Sequence, residues 1–468
     1  MAIIEERLDT GGIAHTQLVN SIVKATKSSR PEHGDRHVGM VYIVDLLTRM
    51  FLPSGYPNSV SPDYLRYQIL NALQAFCNSL AGMLSSRAIL QGFGVGDPTA
   101  SATKALLLTV LQDVFGRLTT ILSAHLIGSS LYPEAKTYRL LADVLNDTAV
   151  ILDTLSPFFN TFSIPGLRVA SLCLSAIFKS LCSICAGGSK AAIAVHFATP
   201  ISGKGDVGDL NAKDASKETV LALFGMLLGT LIVPYVSSPL STHILLFILV
   251  CLHLGINYIG VRLLILRSLN RQRLAIAWQM FDDSVKGHAP EPSEVAPLER
   301  IFDFSDFVYD VTSGSPLGRI SIGCSFSHRV QGVFPPSVFS LFTEERYVIW
   351  FEASCLCSTD DGDVVIVGPT VRVNIFLKEG CTEQDQLRAW IHAVNVCRLT
   401  QKPPRKLSAM TVLKDAHSSM SLRYQTFMKK MQAAHWKTDD IAIMVGSPVS
   451  VIADINLEKH SIEDKKTR

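Results

Sequence analysis

Arg139, Asp143 and Asp147 recur every four residues, which puts a guanidinium and two carboxylates on one helical stripe. Such a stripe has two readings. It wets one side of an amphipathic or interfacial helix, or it belongs to a polar interior within a membrane, where ionisable groups line a pathway or a site. Asp113 and Arg117 have the same spacing and can pair, and Arg168, Ser175 and Lys179 form another stripe. Charge concentrates again in DVGDLNAKDASKE at residues 206–218. There Lys213 and Lys217 share one helical face, Asp214 and Glu218 another, and Asp209 lies one turn upstream. Mixed charge here suits either a solvated helix start or a binding segment. His196, isolated among small apolar residues in AVHFA, is either a packed imidazole or part of a site.

No Ser-His-Asp or Cys-His set emerges, nor an acid pair in a catalytic context, so no catalytic residue is assigned and an enzyme is the least favoured reading. Gly92, Gly94 and Gly96 could offer backbone amides to a phosphate. With no strand before them and no P-loop lysine after, they read as a helix–helix turn. Cys182-x-x-Cys185 sits in an apolar stretch with no second CxxC and no His pair nearby, so it reads as structural; no metal or cofactor is expected. The ten cysteines are scattered and read as reduced thiols. With 43 basic and 41 acidic residues and no basic stripe, a nucleic-acid partner is not expected. The opening MAIIEERLD places acids where a signal or transit peptide would not have them.

The elements that must position these groups are mostly helical. Only 18% of the 468 residues are charged, and mean hydropathy is +0.27, so part of the surface is expected to face lipid. Residues 219–261 contain no Asp, Glu, Lys or Arg, and they hold two runs each near the ~20 residues needed to cross a bilayer. A break at Ser237-Ser238-Pro239 makes them a hairpin; His253 and Asn257 oppose insertion of the second run. Gly225 and Gly229 are spaced for close helix packing, between copies or within one chain. Arg262, Arg267, Arg271 and Arg273 then form a basic flank, which predicts a cytosol-facing C-terminal side. Upstream, helices are expected over 62–90, from an Asp97-Pro98 start to about 129, over 134–155, over 165–186 and, after a Gly187-Gly188 break, over 191–198.

The runs FLPSGYPNSVSPDYLRYQ (51–68), LQAFCNSLAGMLSSRAILQGFGVG (73–96), YRLLADVLNDTAVILDTLSP (138–157), GGSKAAIAVHFA (187–198) and DLNAKDASKETVLALFGMLLG (209–229) follow one another collinearly. Together they resemble the root UVB sensitive family domain over about 41–266. That pattern usually has Arg where this chain has Lys190, which keeps charge but loses a planar fork. It also has Glu-Gly-Ser-Gln where this chain has Asp214-Ala215-Ser216-Lys217. The resemblance implies a protein of internal organelle membranes, linked in plants to light responses and vitamin B6 homeostasis, with no settled catalytic mechanism.

Residues 276–298, including HAPEPSEVAP, read as a linker to a small soluble α+β domain over 299–468. Strands are expected at 347–351, 364–367 and 371–377, with an Asp361-Gly362 turn. A helix capped by Thr382 buries Leu387, Trp390, Ile391 and Val394, and another spans about 408–436. Residues 1–40 read as a partly disordered extension and 457–468 as a frayed end. The expected architecture is therefore a helical membrane-embedded bundle, residues 41–275, followed by a soluble α+β domain.

Two functions fit these features. One is a carrier or homeostasis factor for a small polar metabolite, small anions included, with Arg117, Arg139, Asp143, Asp147, Lys190, His196, Asp209, Lys213, Lys217 and Glu218 as candidate binding residues. The other is a membrane-anchored scaffold that neither transports nor catalyses. Membrane lipid is the expected partner, with a homo- or hetero-oligomer among relatives as a further expectation.

Overall fold

Serine, aspartate and proline mark where the long helices begin. The computed structural model describes residues 2–7, 13–19, 46–94, 101–162, 164, 166–236, 238–303, 306–330, 334–335, 337–353, 356–358, 364–366, 371–401 and 408–453. The chain divides into two units, Met1–Leu264 and Ile265–Arg468. Strands β1 (Ala2–Arg7) and β2 (Ile13–Val19) pair antiparallel. Six helices then make up most of the first unit: α1 (Tyr64–Gly92), α2 (Ala102–Ile127), α3 (Ala135–Leu155), α4 (Leu167–Phe197), α5 (Val207–Ile232) and α6 (Pro239–Leu263).

Ser101 caps α2 by accepting from Lys104 N, whereas the expected Asp97-Pro98 start and Gly96 lie outside the described residues. Asp206 accepts from Gly208 N at 2.7 Å and Asp209 N at 3.3 Å to open α5. Ser238 accepts from Ser241 N at 3.0 Å to open α6, with Pro239 at its first position. These side chains supply acceptors for amides the helix itself cannot satisfy.

The expected break at Gly187-Gly188 does not occur, and α4 runs through it. A Cβ on Gly188 would fall 2.4 Å from Leu131 Cδ1 and 2.8 Å from Leu131 Cβ, so that glycine admits a neighbour where any side chain would collide. Gly225 and Gly229 are likewise filled from within the chain, by Ser79 and Met83 of α1. Ser79 Oγ also donates to Ala222 O at 3.1 Å. The small-residue face of α5 is thus an α1–α5 contact.

Ala102–Ser130, Leu167–Phe197, Val207–Tyr235 and Pro239–Leu263 are long and apolar enough to cross a membrane. Their outward faces are mostly apolar: on α2 only Gly116 and Ser123 are buried, and Leu107, Ile121 and Leu126 are exposed alongside Asp113 and Arg117, as is Phe247 of α6.

In the second unit, β9 (Val371–Lys378) is central. It pairs parallel with β5 (Pro316–Ile322) and β11 (Val451–Ile452) and antiparallel with β6 (Tyr347–Ala353); β4 (Phe307–Tyr309) borders β5. Strand β9 is buried on both faces, since Asn374 and Phe376 are buried along with Val373 and Ile375. Phe326 lies 5.0 Å from Phe376, and Phe334 lies 5.1 Å from Trp350, covering the second face. Helices α8 (Glu383–Thr400) and α9 (Ala409–Ala433) enclose the core, with Leu387, Trp390, Ile391, Val394, Met420, Phe427 and Met431 buried. Thr382 and Asp385 form a reciprocal capping box at α8. The short strands β7 (Leu356–Ser358) and β8 (Val364–Ile366) pair antiparallel; the Asp361-Gly362 turn and residues 457–468 lie outside the described residues.

The segment expected as a linker belongs to this core. Helix α7 (Arg271–Asp283) buries Trp278 and Phe281 against Phe427, with ring centroids 5.1 Å apart in both cases. Trp278 Nε1 donates to Asn395 Oδ1 at 2.7 Å, and Trp436 Nε1 donates to Pro290 O at 2.8 Å. Glu291 and Glu294 form a capping box around Pro292, which turns HAPEPSEVAP into structure and buries Val295. Two residues of the expected basic flank are also absorbed here. Arg273 is buried and paired with Glu299 at 3.1 Å, and Arg271 Nε donates to Ile443 O at 2.6 Å.

Candidate functional site: a buried polar network among the helices

Helix α1 presents Tyr64, Gln68, Asn71, Gln74, Asn78 and Ser85 at steps of three, four and seven, and so on a single side. Arg139, Asp143, Asp147 and Asp153 of α3, Asp214 and Glu218 of α5, and His253 and Asn257 of α6 meet that side directly or through one another.

The network has four stations. At the N-terminal end of α1, His196 Nε2 lies 3.0 Å from Asp63 Oδ2, and Ser61 Oγ donates to Asp63 Oδ1 at 2.5 Å; all three are buried. Next, Lys217 Nζ lies 2.7 Å from Asp214 Oδ1 and donates to Tyr64 OH at 2.8 Å, while Gln68 Nε2 donates to Asp214 Oδ2 at 2.8 Å. Lys190 pairs with Glu218 at 2.8 Å in a half-exposed position, with Asn71 Nδ2 reaching the same carboxylate.

The third station is the deepest. Asp143 accepts from Arg139 Nη1 at 3.0 Å, from Asn257 Nδ2 at 2.6 Å and from Gln74 Nε2. His253 Nδ1 is 2.9 and 2.8 Å from the two oxygens of Asp147, and its Nε2 is 3.7 Å from Asp143 Oδ2. Asp143, Asp147 and His253 are 6%, 2% and 2% exposed. At the fourth station Lys179 Nζ meets Asp153 Oδ2 at 2.5 Å, and Ser85 Oγ donates to the same oxygen at 3.4 Å. Between the third and fourth lies an apolar plug of Ala81, Leu84, Val150, Leu246, Leu249 and Val250.

Of the sequence-predicted residues, Arg139, Asp143, Asp147, Lys190, His196, Lys217 and Glu218 fall in this network. Asp209 lies at its edge, accepting from Ser54 N at 2.7 Å, and Lys213 donates to the carbonyl of Arg49. Arg117 does not join: it and Asp113 are exposed on α2 with no ion pair between them. Asp63, Gln68, Asn71, Gln74, Asn78, Asp153 and Asn257 were not legible as partners. The usable signal was the repeat of amides along α1, together with His253 and Asn257 on one face of the most apolar helix. Among the described residues no group of His, Cys, Asp and Glu could hold a metal ion, and the cysteines with described side chains are free thiols.

The comparisons with known proteins cover both units. Residues 40–284 match the model of the vitamin B6 photo-protection and homoeostasis domain, and residues 364–445 match that of the root UVB sensitive protein C-terminal domain. The chain is 34% identical over 279 residues to RUS family member 1 of Dictyostelium discoideum, an alignment that takes in 59% of this chain and 51% of that protein. It is 29% identical over 391 residues to root UVB sensitive 3 of Arabidopsis thaliana, covering 83% of this chain and 82% of the relative. Against the chloroplastic root UVB sensitive 2 of the same plant, identity is 24% over 400 residues, 85% and 83% of the two chains. No solved structure matches. With its larger domain matched across more than half its length, and the characteristic C-terminal domain following in order, this chain belongs to the root UVB sensitive family.

Proposed function

We propose that the helical unit resides in a membrane and carries, or regulates the level of, a small polar metabolite related to vitamin B6. The observation that supports this most is the third station. Two carboxylates and an imidazole lie buried, with a guanidinium largely enclosed beside them, among helices whose outward faces are mostly apolar. Ionisable groups placed in hydrocarbon are costly, and proteins that keep them there generally use them. The domain description of the matched family supplies the metabolite class. Each lysine or arginine named in the network faces a carboxylate, which favours a neutral or cationic vitamer over an anion.

The test is uptake of labelled pyridoxine, pyridoxamine and pyridoxal phosphate by proteoliposomes holding the full chain. Asp143→Asn and Asp147→Asn, each checked for retained folding, are expected to lower uptake about tenfold or more. Uptake unchanged in both variants, with function in cells lost on removing the C-terminal unit, would discard the carrier and leave the membrane-anchored scaffold.

A further inference from the structure

We propose that Asp143, His253 and Asp147 form a proton-binding site inside the helical unit, with the exchangeable proton on Nε2 of His253. Its role in driving a metabolite rests on the carrier reading; the site itself does not.

Geometry argues the position of the proton. Both oxygens of Asp147 lie within 2.9 Å of Nδ1, so the Nδ1–H is committed to Asp147. Asp143 receives N–H donors from Arg139, Asn257 and Gln74, so it turns acceptor oxygens, not a hydroxyl, toward the ring. With Nε2 bare, a lone pair faces one of those oxygens at 3.7 Å. A proton on Nε2 converts that repulsion into an ion pair.

Charge argues in the same direction. One arginine faces two aspartates, so the four groups carry a single negative charge when the imidazole is neutral and none when it is protonated. Among the described residues, Tyr67 and Cys77 on α1 and Cys182 on α4 also face the cluster, and none of these supplies a cation. The apolar plug beside the cluster lowers the local dielectric, where an unbalanced charge weighs more than at a surface. Uptake of the proton from water forms one N–H bond at Nε2, and its release breaks that bond; nothing else changes covalently.

The test is nitrogen NMR of the full chain in lipid nanodiscs with 15N-histidine, stepping pH across about 5 to 8. One imidazole signal, identified by its loss in His253→Gln, is expected to pass between singly and doubly protonated forms. Its doubly protonated fraction should fall at every pH in Asp143→Asn. A signal fixed in one form throughout, or one indifferent to Asp143→Asn, overturns the proposal. A titrating imidazole in a chain that moves no vitamer would leave this site standing and remove only the carrier.

Discussion

Asp143 gathers donors from three helices, since Gln74 belongs to α1, Arg139 to α3 and Asn257 to α6. Removing such a centre takes the carboxylate from the largely enclosed Arg139 and leaves it the amide oxygen Asn71 Oδ1, at 3.4 Å. Asp143→Ala is therefore expected to destabilise the helical unit by about 3–5 kcal/mol, and Asp143→Asn by less, as read by thermal unfolding in detergent. In the C-terminal unit, His392 shows the opposite logic. It is fully buried between Tyr347 OH and Leu413 O, with His417 beside it, and burial and then that neighbour push its pKa down to about 3. The unfolded imidazole takes a proton near pH 6.5, so below that the unfolded state binds more protons than the folded one. Stability is complete above about pH 6.5 and falls toward pH 3, by up to roughly 1.4 kcal/mol per pH unit. Protection of α8 and α9 amides in the full chain, taken relative to each amide's intrinsic exchange rate at the same pH, should fall accordingly on acidification, and His392→Phe should flatten the slope. The charged stripe of α3 was readable because charges at four-residue spacing stand out. The amide partners of this stripe and of Asp214 and Glu218 on α5 were not, because Gln68, Asn71 and Gln74 carry no charge and resemble ordinary surface residues until a facing helix is known.

Caps and apolar repeats made most elements readable in advance. The Thr382 cap, the break at Ser237-Ser238-Pro239 and the helix over about 408–436 correspond to the capped start of α8, the start of α6 at Pro239 and α9. Glycine was harder, because the same residue ends a helix, kinks it or admits a neighbour, and only the neighbour decides. Gly187 and Gly188 separate these roles within one turn of α4. Nothing lies within 4 Å of a Cβ at Gly187, whereas one at Gly188 strikes Leu131. Gly187→Ala should stabilise by about 0.5–1 kcal/mol through helix propensity. Gly188→Ala should destabilise by about 1–3 kcal/mol through overpacking. Thermal unfolding of the paired variants would check both signs at once.

At the level of the whole molecule, the four long apolar helices predict that alkaline carbonate leaves the intact chain with the membrane fraction; its release into the supernatant would contradict lipid embedding. The composition of residues 276–298 hid their place in the fold, since Pro, Glu and Ser suit a linker as readily as a capped turn. A fragment beginning at Ile265 should fold, whereas one beginning at Glu299 lacks Trp278, Phe281 and Val295 and should give poorly dispersed spectra. Strand β3 (Ser268–Asn270) pairs parallel with β10 (Lys437–Ala442), which joins the first strand of this unit to nearly its last. On the ribosome, Ser268–Asn270 therefore emerges long before its partner and waits, while the helices ahead of it already have their full sequence. A stop codon between Asn270 and Lys437 would spare every one of those helices and still leave a half-built domain for the quality-control machinery to find.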